Sequence, residues 1–150
     1  MLRMTTIALV LGAGLLAGTA MAQADPDNAI KYRQQIYKTL GANITGIVMN
    51  LKGEVALPDN VPAHAQALAA AAPLALGAMA QNTAGEGSAQ TQAKAGIWDD
   101  WDDFESLHGA MEEAALELAA VAESGDMRAI GQQVQMLGGT CKDCHDKYRD

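Results

Sequence analysis

The sequence predicts an all-α protein, folded as an antiparallel four-helix bundle. Three observations lead to this fold class. Four segments repeat apolar side chains at alternating steps of three and four residues, which places those side chains on one face of a helix. No segment shows the strict alternation or the hairpin turn that predicts strands. The connections between the four segments are short, long and short.

The first 22 residues are set apart from this fold as a predicted secretory signal peptide. A positive start with Arg3 precedes an apolar run from Thr5 to Leu16, and Ala20-Met21-Ala22 offers small residues to a signal peptidase. We expect cleavage before Gln23 and a periplasmic location. The alternative is an inner-membrane anchor, but the run is shorter than the ~20 residues of a membrane span.

Residues 23–150 are long enough for one domain with its own core. The chain holds 10 Lys and Arg and 18 Asp and Glu. Arg3 is one of the bases and residues 1–22 contain no acid, so nine bases remain against 18 acids after cleavage. This excess of negative charge argues against nucleic acid and anionic membranes as partners, because both require basic surfaces.

Two helices are predicted in the first half of this domain. The first spans about residues 27–52 behind an Asp or Asn cap and ends near Gly53. The second starts at Asp59-Asn60 and continues through an alanine-rich stretch, and Pro73 is expected to end or kink it. The inward face of the first helix consists of Ile30, Arg33, Tyr37, Leu40, Ile44, Ile47 and Leu51.

The second half begins with a long connection. Residues 81–95 are rich in Gly, Ser, Thr, Gln and Ala, which predicts a flexible segment. A third helix is expected from about Ile97 to Ser124-Gly125, and Asp126 then caps a fourth helix. The inward face of the fourth helix consists of Met127, Ile130, Val134, Leu137, Cys141, Cys144 and Tyr148.

The chemistry of the chain is concentrated at Cys141-Lys142-Asp143-Cys144-His145. C-x-x-C-H is the attachment sequence of c-type haem, in which both thiols bond the porphyrin and the imidazole binds iron. Because both cysteines fall on the inward face, the haem is expected to lie inside the bundle. The alternatives are a disulfide redox pair, which normally lies at a helix N-terminus, and half of a zinc site, which needs two further ligands.

Two residues of the first helix are candidates for contact with that haem. Arg33 is a charge on an otherwise apolar face and needs a partner, which a haem propionate would provide; the alternative is a side chain that snorkels to solvent. Tyr37 lies one turn further on the same face, over the distal side, or is simply a core aromatic. Further possible iron ligands are His64, Met79, His108 and Met111, and the favoured alternative for each is an ordinary core or surface residue.

These residues resemble the cytochrome c′ family of bacterial periplasmic haem proteins over residues 25–150. The similar motifs are Ala29 to Gln34, Ile97-Trp98 with Phe104, and the haem motif through Arg149. The resemblance implies one covalent haem c in a four-helix bundle, a homodimer paired through the first two helices, and five-coordinate, mainly high-spin iron.

The resemblance also implies roles for single residues. His145 is the axial ligand, Arg33 and Gln34 lie beside the haem propionates, and Arg149 flanks the proximal face. Tyr37 occupies the distal position, where it differs from the Leu, Phe or Met of other members. The connection at 81–96 has no confident match, so no role is transferred to it.

The function expected from these features is the binding of nitric oxide or carbon monoxide at an open iron site, electron transfer with a redox partner protein, or both. The protein is not expected to be an enzyme. A low-spin electron carrier with a sixth iron ligand is the main alternative. A peroxidase would need a distal acid–base pair, and Tyr37 is the one distal polar group that the sequence places.

Overall fold

The computed structural model describes residues 23–150, so the predicted signal peptide at 1–22 lies outside the described residues. Four long helices and one short helix confirm the predicted all-α class, and this part of the chain contains no strand. The helices are α1 (Pro26–Leu51), α2 (Val61–Met79), α3 (Gly96–Asp99), α4 (Trp101–Ala122) and α5 (Met127–Tyr148), with a 3-10 turn at Pro58–Asn60 before α2. None of these helices is long and apolar enough to cross a membrane.

Contacts between the long helices show that neighbours run antiparallel. Tyr37 of α1 contacts the end of α2 at Ala75, whereas Asn43, further along α1, contacts its beginning at His64. The imidazole of His64 lies against Gly46, where a Cβ would come within 2.7 Å of it. The glycine therefore permits close packing of α1 on α2.

Helix ends follow the predicted capping chemistry. Asp25 accepts a hydrogen bond from the backbone N–H of Asn28 (3.1 Å) at the start of α1. Asp126 accepts one from Arg128 (2.9 Å) at the start of α5. The tight turn before α5 contains Gly125 with φ of 67°, a conformation that glycine adopts without strain.

Of the two expectations for Pro73, that it ends the second helix is wrong, because α2 continues through it to Met79, as the alternative of further helical turns over 74–79 allowed. An interior proline removes one helical hydrogen bond and costs about 3 kcal/mol or more. Ala72, Ala75 and Met79 are buried on both sides of the proline. Burial of this apolar face therefore outweighs the local cost.

The predicted third helix is divided into α3 and α4. Asp100 leaves the helical conformation with φ of −132° and ψ of 58°. Its carboxylate contacts the Lys147 ammonium at 3.1 Å, and its carbonyl accepts a hydrogen bond from Tyr148 (3.3 Å). These contacts with the end of α5 stabilise the break.

The interior contains two adjoining groups of side chains. The first, called here the aliphatic core, fills the middle and one end of the bundle; it consists of Ile47, Val61, Ala65, Leu68, Ala72, Met111, Ala115, Leu118, Ala122, Ile130 and Leu137. The second, called here the aromatic cluster, lies at the other end; it consists of Met79, Ile97, Phe104 and Tyr148, with Tyr37, Leu76, Ala93, Trp98, Trp101, Leu107 and Cys144 packed against them.

The long connection between α2 and α3 is anchored, contrary to the expectation of a flexible segment. The Asp27 carboxylate accepts hydrogen bonds from the backbone of Ser88 (2.5 Å) and Ala89 (2.9 Å) and from the Ser88 hydroxyl (2.7 Å). Gly87 has φ of 73°, and a Cβ there would collide with the same carboxylate. Further along, the connection pairs with the C-terminus through a bridge between Ala93 and Arg149.

Candidate haem site

The two cysteines of the haem motif lie on the inward side of the last turns of α5. Their spacing of three residues places both thiols on one helix face, and both side chains are partly buried. Cys141 packs against the aliphatic core, whereas Cys144 packs against the aromatic cluster. A group bonded to both thiols therefore lies where these two parts of the interior meet.

The two alternative interpretations of the motif fit the structure poorly. A redox pair needs thiols with lowered pKa values at a helix N-terminus, but these cysteines lie near a helix C-terminus and burial raises the pKa of each. A zinc site needs four ligands. Within residues 23–150, no group of three or more His, Cys, Asp and Glu side chains is arranged to hold a metal ion.

His145 follows Cys144 on α5 and is exposed at the edge of the site. Partial burial lowers its pKa, and the nearby positive charge of Arg149 lowers it further. Both effects favour the neutral imidazole, the form that binds iron. Arg149 is held in place by Gln92, whose Oε1 accepts hydrogen bonds from Arg149 Nε (2.9 Å) and Nη2 (2.6 Å). The long connection thus positions the charge that adjoins the predicted axial ligand.

Arg33 is buried at 2% exposure, so the alternative of a snorkelling side chain is wrong. Its Nη1 donates a hydrogen bond to Thr83 Oγ1 (2.6 Å) and its Nη2 donates one to Thr91 Oγ1 (3.0 Å). The guanidinium also lies over the ring of Trp98, 5.4 Å from its centroid. The threonines use two of its five N–H groups. A carboxylate could be bound by the N–H groups that make no contact within residues 23–150, and the propionate contact stays a prediction.

Gln34 and Tyr37 lie near Arg33 on α1. Gln34 Nε2 donates a hydrogen bond to the carbonyl of Gln90 (2.7 Å) in the long connection. The Tyr37 hydroxyl points to the carbonyl of Ala75 (3.5 Å), and burial raises the pKa of Tyr37 well above its usual range. Tyr37 packs with Cys144 in the aromatic cluster, so it is a neutral phenol on the α1 side of the site.

The other possible iron ligands separate into remote and nearby residues. His64 lies near the start of α2, away from the site, with Nδ1 at 3.0 Å from Asn43 Oδ1 of α1. Met111 is also remote, because it belongs to the aliphatic core. Met79 lies in the aromatic cluster with Cys144. His108 is buried on α4 next to Phe104, with ring centroids 6.4 Å apart.

Sequence reasoning missed several residues around the site. Thr83 and Thr91 bind Arg33, and Trp98 both lies under its guanidinium and donates a hydrogen bond to the carbonyl of Met79 (2.8 Å). No spacing rule links the threonines to Arg33, because they lie 50 and 58 residues away. His108, in contrast, is one of the possible iron ligands named from the sequence, and its signal is its spacing of four residues after Phe104 and three before Met111.

The residues present fit a covalent haem. Two free thiols and an adjacent imidazole supply the attachment and the axial ligand. The interior also contains His108, which lies beside Phe104 on α4 and whose two ring nitrogens are buried without a partner among residues 23–150. Buried polar atoms normally have partners, so a further group beside them is consistent with this position.

Comparisons with known proteins point to the same cofactor. A family model described as Cytochrome C′ matches residues 28–149. The chain is 38% identical over 147 residues to a cytochrome c′ of Rhodospirillum rubrum, an alignment that covers 97% of this chain and 99% of that protein.

Two solved structures are similar over the same region. One is the nitric oxide complex of a mutant cytochrome c prime from Alcaligenes xylosoxidans, with a TM-score of 0.74 and 27% identity, covering 85% of this chain and 98% of that one. The other is a cytochrome c′ described as having a ligand-controlled dimer dissociation, with a TM-score of 0.78 and 32% identity, again covering 85% of this chain and 98% of that one.

Proposed function

The chain belongs to the cytochrome c′ family and binds haem c, and from this premise we propose that it binds nitric oxide or carbon monoxide at a five-coordinate, high-spin iron. His145 is the single protein ligand of the iron in this proposal. Cys141 and Cys144 hold the haem in the interior of the bundle. Nitric oxide bound to the similar protein from Alcaligenes xylosoxidans supports a gas ligand of this kind.

The position and state of Tyr37 carry the proposal. Its hydroxyl is directed to the Ala75 carbonyl, and burial raises its pKa, so it remains a neutral phenol near neutral pH. A neutral phenol is a poor iron ligand, because tyrosine binds iron as the phenolate. Tyr37 therefore occupies the α1 side without closing the iron, and the apolar surroundings suit an uncharged diatomic molecule.

When bound, haem c supplies an iron that changes between the ferrous and ferric states and accepts a diatomic ligand at a vacant axial position. The chain's own residues do the rest. Arg33 presents positive charge in a dry environment, where it stabilises a propionate. Arg149 lies beside His145 and favours the neutral imidazole. The long connection holds both arginines through Thr83, Thr91 and Gln92.

A low-spin electron carrier is the second candidate function, because one observation favours it. Met79 lies in the aromatic cluster with Cys144 and Tyr37, and a methionine sulfur is a common sixth ligand in electron-transfer cytochromes. The Met79 carbonyl accepts a hydrogen bond from Trp98, so this bond fixes the end of α2 through the backbone and does not use the thioether sulfur.

Titration of the reduced protein with nitric oxide, followed by visible absorption, tests the proposal. We expect a spectral change that saturates at one nitric oxide per haem, with the same end point in Met79→Leu. If the wild type does not respond and Met79→Leu does, methionine closes the iron and the second candidate function is right. If neither responds, the open-site proposal fails.

Export, assembly and the absence of catalysis complete the proposal. The apolar start of the sequence supports a periplasmic location, where c-type haem is attached. The ligand-controlled dimer of a similar protein supports a homodimer, and the changing oxidation state of iron supports a redox partner protein. We expect no catalytic turnover, because a peroxidase needs a distal acid–base pair, and Arg33, the arginine on the α1 side, is held by Thr83 and Thr91.

A further inference from the structure

His108 is a buried histidine whose two ring nitrogens have no hydrogen-bond partner among residues 23–150. Its side chain is 4% exposed. Leaving a buried polar group unpaired is costly, so a partner from outside the polypeptide would stabilise this side chain. The chain offers a direct contrast in His64, whose Nδ1 contacts Asn43 Oδ1 at 3.0 Å.

The position of His108 relates it to the haem attachment. On α4 it lies between Phe104, which belongs to the aromatic cluster, and Met111, which belongs to the aliphatic core. Cys144 and Cys141 are divided between the same two groups. His108 therefore lies at the boundary that a porphyrin bonded to both thiols must occupy.

The charge state of His108 suits a hydrogen-bond donor. Burial lowers its pKa, and the negative charge of Glu112 opposes this shift less strongly. The imidazole is therefore neutral near neutral pH, with one N–H donor and one acceptor nitrogen.

The haem propionates are an unsuitable partner for His108. Their predicted contact is Arg33, which is held by Thr83 and Thr91 and lies over Trp98 at the edge of the aromatic cluster formed by α1 and the long connection. The thioether bonds and the propionates occupy different edges of a porphyrin.

His108 lies at the level of the two cysteines. Phe104 contacts Tyr148 of α5 with ring centroids 5.4 Å apart, and the Ala114 carbonyl accepts a hydrogen bond from Gln133 of α5. His108 lies between Phe104 and Ala114 on α4, and the cysteines fall between Gln133 and Tyr148 on α5. A ligand carried by the iron is the remaining polar group of the cofactor.

We propose that His108 lines the distal haem pocket and donates a hydrogen bond from its imidazole to the diatomic ligand, as a positioning residue that does not itself bind iron. This inference rests on the proposed function, because it requires an open iron site. It also adds a second polar group to the distal side, where the sequence places Tyr37 alone.

The test compares His108→Leu with wild-type holoprotein, and His64→Leu serves as the matched control outside the pocket. Haem content is measured first for each protein. Carbon monoxide is then bound to the reduced proteins, and its stretching frequency and dissociation rate are recorded. We expect His108→Leu to raise the frequency and to speed dissociation about fivefold, the equivalent of one hydrogen bond of ~1 kcal/mol. His108→Gln, which keeps an N–H donor, should restore part of the effect, and His64→Leu should match the wild type.

The possible results separate this inference from the proposed function. If wild-type holoprotein takes no carbon monoxide, the proposed open site fails and His108 has no ligand to contact. If the wild type takes carbon monoxide but His108→Leu has an unchanged frequency and rate, the hydrogen bond is absent and the inference is overturned. If only His108→Leu takes carbon monoxide, His108 binds iron, which overturns both statements.

A measurement on the wild type alone tests the same inference if the His108 variants do not fold. In the oxidised holoprotein labelled with 15N-histidine, paramagnetic iron should shift the imidazole signals of His145 and His108, while those of His64 stay in the ordinary range. A shift confined to His145 would place His108 away from the iron and overturn the inference.

Discussion

The two ends of the bundle differ in the polar and charged groups that their interiors contain. The aliphatic core consists of Ala, Leu, Ile, Val and Met side chains, which pack against one another and need no hydrogen-bond partner. The aromatic cluster adjoins Arg33, Thr83 and His108, three of the four buried polar or charged residues of the described chain. The fourth, Gln133, has a partner in the Ala114 carbonyl (3.2 Å). One end thus stabilises the fold, and the other is arranged around a cofactor.

Removing both thiols is expected to have the largest effect, because it should abolish haem attachment at one end and leave the packing of the other end intact. Cys141→Ser with Cys144→Ser eliminates both thioether bonds, so the haem stain of the denatured polypeptide on a gel should disappear completely. The aliphatic core should keep the chain helical by circular dichroism. Haem that remains on the denatured double variant would show that attachment does not occur at these cysteines.

A cavity in the aliphatic core should reduce stability without touching the site. Leu118 is fully buried, and Leu118→Ala is expected to lower the free energy of unfolding by about 2–5 kcal/mol. Denaturant unfolding measures this loss, and the visible spectrum of the folded holoprotein should equal that of the wild type. A changed spectrum would mean that the two ends are not separate in function.

The sequence was most informative where the structure depends on local pattern. The inward faces of α1 and α5, the caps at Asp25 and Asp126, and the haem motif all follow from residues a few positions apart. The interruption at Asp100 does not, because it depends on Lys147 and Tyr148, which lie 47 and 48 residues away.

The α5 part of the site was fully predictable, and the α1 part was predictable without its partners. Arg33 was identifiable as a charge on an apolar face, but its partners in the long connection were not, because that segment has no periodicity to interpret. His108 was ambiguous for another reason: Leu107 beside it also fits the helical stripe, and only tertiary packing shows that His108 is the more buried of the two.

Replacing the buried Arg33 should lower the free energy of unfolding, and the effect should be smaller than that of Leu118→Ala. Arg33→Met removes two charge-assisted hydrogen bonds and leaves Thr83, itself 3% exposed, without its donor. We expect the free energy of unfolding to fall by about 1–3 kcal/mol. Arg128→Met, on the exposed surface of α5, is the control and should change it by less than ~0.5 kcal/mol. Equal effects would show that Arg33 has no special role.

Protonation of Asp27 at low pH should detach the long connection from α1, and of the changes considered it should affect the whole fold least. Hydrogen bonds from Ala89 and Ser88 lower the pKa of Asp27 below its ordinary value. A carboxylate whose pKa is lower in the folded state than in the unfolded state stabilises the fold. This contribution is fully present at pH values above the unfolded-state pKa of about 3.9, and it is lost as the pH falls through the folded-state pKa.

Amide hydrogen exchange checks this expectation about Asp27. The backbone N–H groups of Ser88 and Ala89 should be protected near pH 6 and lose protection as the pH falls below ~4. In Asp27→Ala they should exchange quickly at both pH values, because the acceptor is gone. Protection that persists in Asp27→Ala would show that other contacts anchor the connection.

The visible spectrum of the reduced holoprotein, recorded before and after carbon monoxide is added, tests the central claim most directly. An open iron held by His145 beside a neutral Tyr37 predicts broad visible absorption that shifts when carbon monoxide binds. A sharp pair of visible bands that does not respond to carbon monoxide would show that a sixth ligand closes the iron, and would contradict the account of the aromatic end as a gas-binding site.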